Sequence, residues 1–115
     1  VADTGAMWEK MTGLPVPLGG IAISRNIDTL VASKVERAIR RSIEYARSSP
    51  RESVDFIRQH ARETDADVTR EHINLYVNDF SLSLGEEGRR AIEKLFSVAV
   101  EKGVANPLPA SIFLK

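Results

Sequence analysis

Apolar residues recur at intervals of three and four along most of the chain, which is the spacing of an amphipathic helix. The longest such pattern starts at Asp28 and stops at Ser48. A later one places Val68, His72, Leu75 and Tyr76 on a single face. The predicted helices are Asp3 to Thr12, Asp28 to Ser48, Pro50 to about Glu63, about Asp65 to Val77, and a last helix that ends at Lys102 and Gly103.

Residues typical of helix ends support these bounds. Gly13 and Gly103 follow the first and last predicted helices, where glycine commonly adopts the left-handed conformation that ends a helix. Ser49–Glu52 and Ser83–Glu86 have the spacing of capping boxes, so each is expected to begin a helix with two side-chain hydrogen bonds. The tail ends in Ile112, Phe113 and Leu114, and we expect these apolar side chains to dock.

The segment 15–25 has a different pattern, because its apolar residues fall on both parities and its prolines lie only at the start. This predicts one strand that is buried on both faces. Phe80–Leu84 alternates at period two and predicts a short second extended segment. A doubly buried strand needs neighbours on both sides, so we expect a part of a larger α/β protein or strands borrowed from another copy. A self-contained helical bundle with one extended segment is the alternative.

Composition gives a globular class and no function. The 115 residues allow one small domain, with 43% hydrophobic and 28% charged residues. Sixteen basic and sixteen acidic residues give a net charge of zero, which argues against a nucleic-acid or lipid partner. No apolar run is long enough to span a bilayer, and the absence of cysteine excludes disulfides and thiolate chemistry.

No catalytic constellation is visible. His60 and His72 lie on separate predicted helices without the spacing of a metal site, and each continues an apolar stripe, which favours a packed, hydrogen-bonded role. No phosphate-binding loop or nucleophile elbow is present. We therefore expect no metal, no cofactor and no catalytic residue.

The long helix is basic on one side. Its cations are interleaved with Glu36 and Glu44, so a solvated face is favoured over a nucleic-acid surface. The cations are Lys34, Arg37, Arg40, Arg41 and Arg47.

Three stretches, Val1–Gly20, Arg41–Ala46 and His72–Gly88, closely resemble the C-terminal part of the 1,4-dihydroxy-6-naphthoate synthase family. The most specific motifs are TGLPVPLGG and YVNDFSL followed by GEEG. These enzymes belong to the futalosine route of menaquinone biosynthesis and are similar to chorismate dehydratase. The resemblance runs in the same order along essentially the whole chain, and it implies a chain well under half of the complete enzyme.

The resemblance implies an α/β fold with two lobes, similar to type II periplasmic solute-binding proteins, of which this chain is a mainly α-helical C-terminal fragment. By this resemblance residues 1–14 end the second lobe, residues 15–25 form the crossover strand that returns to the first lobe, and residues 26–115 are the helical end of the first lobe. The remaining strands come from the missing upstream half, which would be a partner of this chain.

The resemblance also implies a carbon–carbon lyase that converts cyclic dehypoxanthinyl futalosine to 1,4-dihydroxy-6-naphthoate in the bacterial cytoplasm. The family's histidine base belongs to a motif upstream of Val1, so the fragment alone is expected to be inactive. Ligands in this architecture lie near the interlobe crossovers, which makes Pro17, Leu18, Gly19 and Gly20 the candidate substrate-binding residues. Tight packing of a strand or a bulge is the alternative explanation for the glycine pair.

Two other functions remain open at this point: a noncatalytic solute-binding protein of the same fold, and a small helical interaction or nucleic-acid module. If the chain stands alone, the strand edge around Ile21 and Ile23 is expected to drive homodimerisation or strand exchange.

Overall fold

The computed structural model describes residues 2–62, 65–108 and 111–114, and all regular secondary structure in these ranges is helical. A 3₁₀ turn, Pro50–Ser53, precedes α3. The helices are α1 (Thr4–Thr12), α2 (Thr29–Ser48), α3 (Val54–His60), α4 (Ala66–Tyr76), α5 (Asp79–Leu82) and α6 (Gly85–Glu101).

The chain divides into two compact units. The first combines Val1–Thr29 with Leu84–Lys115, and it holds α1, α6 and the two segments that follow them. The second, Leu30–Ser83, holds nearly all of α2 together with α3, α4 and α5. The lobe boundaries expected from the family resemblance remain predictions.

The predicted mainly helical character is confirmed, and several helix ends form as the sequence indicates. Asp3 caps α1 by accepting from the amide of Ala6 at 3.0 Å. Gly13 ends this helix with φ 68°, in the left-handed region where a Cβ atom is unfavourable. Gly103 follows α6 with φ 71° and donates to the carbonyl of Val100. The apolar tail docks as expected, with Ile112, Phe113 and Leu114 all half-buried.

The predicted buried strand over 15–25 is absent from the described structure of this chain. No residue of this segment has strand structure, and the side chains of Leu18 and Ile21 are 62% and 80% exposed. A strand is stabilised by hydrogen bonds to its neighbours, and the described residues contain no other strand to supply them.

Three smaller predictions also need correction. The segment predicted as extended at Phe80–Leu84 begins inside α5, because the Asn78 side chain caps that helix by accepting from the amide of Phe80. Neither predicted capping box forms. Ser49 is at the N-cap of the 3₁₀ turn but makes no side-chain capping bond. The N-cap residue of α6 is Leu84, one residue after Ser83, and it also makes no such bond. Helix α3 ends at His60, and its predicted end at Glu63 lies outside the described residues.

The described residues bury little apolar surface. Their buried hydrophobic residues are Ala32 and Ala91, and no large side chain is fully buried. The accessible surface is 9705 Å², whereas two separate folded proteins of half this mass would together expose about 7,500 Å². The chain therefore exposes more surface than compact units of this mass would, and its exposed large hydrophobic residues lie in both units.

Candidate functional site

The candidate substrate-binding residues lie between α1 and α2, in residues 13–28, which we call the connecting segment. Its start is fixed by the last turn of α1. The Thr12 hydroxyl donates to the carbonyl of Trp8 at 2.9 Å and accepts from the amide of Leu14 at 3.2 Å. The left-handed Gly13 between them turns the chain away from the helix axis.

Two further contacts hold the connecting segment. Val16 packs over Gly5 of α1, where a Cβ atom built on the glycine would lie 3.5 Å from Val16 Cγ1. At the other end, Arg25 Nη2 donates to the carbonyl of Ser111 at 2.6 Å. The tail that carries Ser111 is itself held by Arg89, whose guanidinium carbon lies 4.7 Å from the centre of the Phe113 ring. The segment is thus tied to the first unit on both sides of residues 17–24.

Between these ties the chain is open to solvent. Pro17 is half-buried, whereas Leu18, Gly19 and Gly20 are exposed. A Cβ atom built on Gly19 or on Gly20 meets no described atom within 4 Å. The structure therefore places the four candidate residues side by side, and it gives no internal packing reason for the glycine pair. Their role as a cleft wall stays a prediction.

An open groove of about 330 Å³ lies next to the start of the connecting segment. Pro17–Gly20 do not line it. Glu9 of α1 and Glu87 of α6 both line the groove, so its charged side chains are acidic. The remaining lining residues are Gly13, Leu14 and Pro15. Sequence reasoning missed this groove because its two carboxylates come from helices far apart in the chain, and no spacing rule connects them.

The two histidines do not form a catalytic or metal centre in the described structure. His60 stacks on Phe56 with ring centres 4.2 Å apart, and its Nδ1 lies 2.8 Å from the Phe56 carbonyl oxygen. His72 lies against Tyr76, with ring centres 4.5 Å apart. Both contacts join residues one helical turn apart, and both histidines are exposed. The prediction that both histidines are packed is therefore wrong, because both are exposed, although each ring has an aromatic neighbour.

Other candidate chemistry is equally sparse. Within the described ranges, no three His, Asp or Glu residues are arranged so that they could hold a metal ion. None of the helices described combines the length and hydropathy of a membrane-spanning segment.

The basic face of α2 is partly neutralised by neighbouring acceptors. Arg47 donates from Nη1 to Asp79 Oδ1 at 3.0 Å and from Nη2 to the carbonyl of Val77 at 3.1 Å. Arg40 Nη2 lies 3.9 Å from Glu36 Oε1. These contacts agree with a solvated helix face whose charges have internal partners, the interpretation favoured from the sequence.

Comparison with known proteins identifies the family. The family model described as "Menaquinone biosynthesis" matches residues 1–101. A 1,4-dihydroxy-6-naphthoate synthase of Thermus thermophilus is 44% identical over 114 residues, which cover 99% of this chain and 42% of that protein. A protein of the same name from Streptomyces coelicolor is 39% identical over 108 residues, covering 94% of this chain and 38% of that protein. The chain thus spans about two fifths of the length of these relatives, and it belongs to the menaquinone biosynthesis family.

Proposed function

We propose that this chain forms part of a 1,4-dihydroxy-6-naphthoate synthase, a lyase that converts cyclic dehypoxanthinyl futalosine to 1,4-dihydroxy-6-naphthoate in menaquinone biosynthesis. The observation that carries the proposal is the match to two relatives of this name over 99% and 94% of the chain. Because only about two fifths of each relative is matched, the activity is assigned to the complete enzyme. A cytoplasmic location belongs to the same proposal.

The distribution of chemistry in the chain supports a structural and binding role within that enzyme. Neither His60 nor His72 has a carboxylate partner among the contacts described, and both are exposed on their helices. A general base must be oriented and placed within hydrogen-bond reach of the proton it removes. We therefore assign no catalytic residue to this chain and expect the base to come from the rest of the enzyme.

The two-lobed fold is a second part of the proposal. In it residues 1–14 end the second lobe, residues 15–25 cross to the first lobe, and residues 26–115 complete that lobe. The exposure of Leu18 and Ile21 supports this arrangement, because residues 15–25 then pair with strands of the remaining polypeptide and become buried. The same pairing explains why the segment has a strand-like sequence but no strand in the chain alone.

Residues 17–20 are proposed to form part of the cleft wall. They are tied to the first unit on both sides, and the glycine pair leaves the backbone uncovered. A flat aromatic ligand can approach such a backbone closely, since no side chain intervenes. Pro17, Leu18, Gly19 and Gly20 are thus proposed to contact the naphthoate part of the substrate or product.

A chimera tests the proposed activity. In it, this chain replaces the 114 matching residues of the Thermus thermophilus relative, and the product of cyclic dehypoxanthinyl futalosine is followed by chromatography. The unaltered relative serves as the positive control, and the relative without its matching residues serves as the negative control. We expect 1,4-dihydroxy-6-naphthoate from the chimera and from the unaltered relative only.

The opposite result separates the alternatives. A chimera that melts cooperatively and binds the substrate but releases no product would refute the lyase and favour a noncatalytic solute-binding protein. A chimera that melts cooperatively and binds nothing would refute both functions.

A further inference from the structure

Helix α4 has an apolar face that its own unit leaves open to solvent, namely Val68, His72, Leu75 and Tyr76. We call this set the α4 face. Val68, Leu75 and Tyr76 are 49%, 59% and 50% exposed, and His72 is exposed as well. The half-buried residues of α4 are Thr69 and Ile73, so the face that the sequence predicts to pack is not the side of the helix that is covered.

The helix that carries this face is fixed at both ends. At its start, the Asp65 carboxylate accepts from the amides of Asp67 and Val68 at 2.9 and 3.0 Å. At its end, Arg47 of α2 donates to the carbonyl of Val77 at 3.1 Å. An eleven-residue helix is marginal in water without such support. The caps stabilise the helix and the Arg47 bond ties its end to α2, while its apolar side remains uncovered.

The uncovered surface of the whole chain is large. The chain exposes roughly 2,000 Å² more than two compact proteins of half its mass, which is the scale of an obligate interface. The α4 face alone, on a helix about 16 Å long, presents only a few hundred Å², less than the roughly 800 Å² per partner of a stable dimer. Well over half of each relative's length has no counterpart in this chain, and that polypeptide is large enough to cover the excess.

We infer that the α4 face is an internal packing surface of the complete enzyme, covered by an apolar surface of the polypeptide that corresponds to the relatives' unmatched residues. This inference rests on the proposed function, because it assigns the partner from the relatives of that name. A second copy of this chain is the competing occupant.

Cysteine labelling tests the inference, because the chain contains no cysteine of its own. Leu75→Cys is introduced into the full 115-residue chain and into the chimera, whose other cysteines are replaced by serine. The rate of maleimide labelling is then compared in dilute solution. Asn74→Cys is the matched control, since Asn74 is exposed and lies on the opposite side of α4 from this face.

We expect Leu75→Cys to label at least about tenfold more slowly in the chimera than in the isolated chain, as burial protects the thiol. Asn74→Cys should label at the same rate in both proteins.

Equal rates for Leu75→Cys would overturn the inference, and so would protection in the isolated chain that grows with its concentration. Val68→Cys gives the same readout if the Leu75→Cys chimera no longer melts cooperatively. Turnover by the unsubstituted chimera is measured separately, so a failed lyase assignment is distinguished from an uncovered face.

Discussion

Arg47 and Asp79, which are 32 residues apart in sequence, form an ion pair with 3.0 Å between Nη1 and Oδ1. The second guanidinium nitrogen of Arg47 donates to the carbonyl of Val77, the residue that directly follows α4. One planar side chain of α2 therefore holds both the last turn of α4 and the start of α5. The fork of donors on arginine suits two acceptors at once, which a lysine ammonium cannot match with the same geometry.

We expect Arg47→Ala to lower the free energy of unfolding of the chimera by about 1 kcal/mol, near the upper end for exposed pairs. The carboxylate of Asp79 is 99% exposed, so most of the loss comes from the bond to the Val77 carbonyl. Urea unfolding followed by circular dichroism measures the change. Arg40→Ala is the control, since its 3.9 Å separation from Glu36 predicts a loss of only a few tenths of a kcal/mol. Equal losses for the two variants would show that the fork has no special role.

The stability supplied by Asp65 is expected to depend on pH. Hydrogen bonds from the amides of Val68 and Asp67 favour the charged carboxylate and lower the pKa of Asp65 below its ordinary value. A lowered pKa in the folded state means that the stabilisation is present above the pKa of the unfolded chain, about 3.9. It is then lost as the pH falls through the lower folded value.

Thermal melts of the chimera and its Asp65→Ala variant between pH 7 and pH 3 test this dependence. The parent should melt higher at neutral pH, and the difference should narrow below about pH 4. Asp65→Asn is the control, because its amide oxygen can still cap the helix but does not titrate in this range. A difference between parent and Asp65→Ala that stays constant across the range would contradict the assigned cause.

Most helices were predictable because their signals are local. Asp3, Asp65 and Gly13 act on backbone groups within a few residues, so spacing in the sequence is enough to identify them. The fork of Arg47 and the groove between Glu9 and Glu87 join distant residues, and no local pattern encodes such contacts. The strand over 15–25 is absent from the described structure for a different reason. Its apolar residues are typical of a strand with neighbours on both sides, but the described residues contain no other strand that could pair with it.

Gly13 should tolerate asparagine far better than alanine. With φ at 68°, Gly13 occupies a region where a Cβ atom meets the following carbonyl. We expect Gly13→Ala to cost about 1 kcal/mol in urea unfolding of the chimera. Gly13→Asn is the matched control, because asparagine adopts the left-handed conformation more readily than alanine. Equal destabilisation would mean that the conformation of Gly13 changes in the complete protein.

A side chain at Gly20 should reduce ligand affinity if residues 17–20 form the cleft wall. Nothing described lies within 4 Å of its Cβ position, so the chain itself gives no steric reason for glycine. We expect Gly20→Leu in the chimera to weaken binding of 1,4-dihydroxy-6-naphthoate by about tenfold or more, and Gly20→Ala by much less. Calorimetric titration measures both affinities. Unchanged affinity for Gly20→Leu, with an unchanged melting temperature, would remove these residues from the site.

The isolated chain should self-associate through its uncovered apolar segment. Ile21 is 80% exposed and Ile23 is 37% exposed, and both lie in a segment with strand-like sequence whose backbone lacks strand neighbours. Such a segment readily pairs with an identical one. Sedimentation velocity over a range of concentrations should therefore show dimers or larger species.

Ile21→Lys should shift the population toward monomer, because a charge on an edge strand opposes pairing. Ser24→Lys adds the same charge at a position that is already polar, so it should have a smaller effect. A monomeric parent chain at all concentrations would contradict the prediction and would leave the exposed isoleucines to be covered only by the rest of the enzyme.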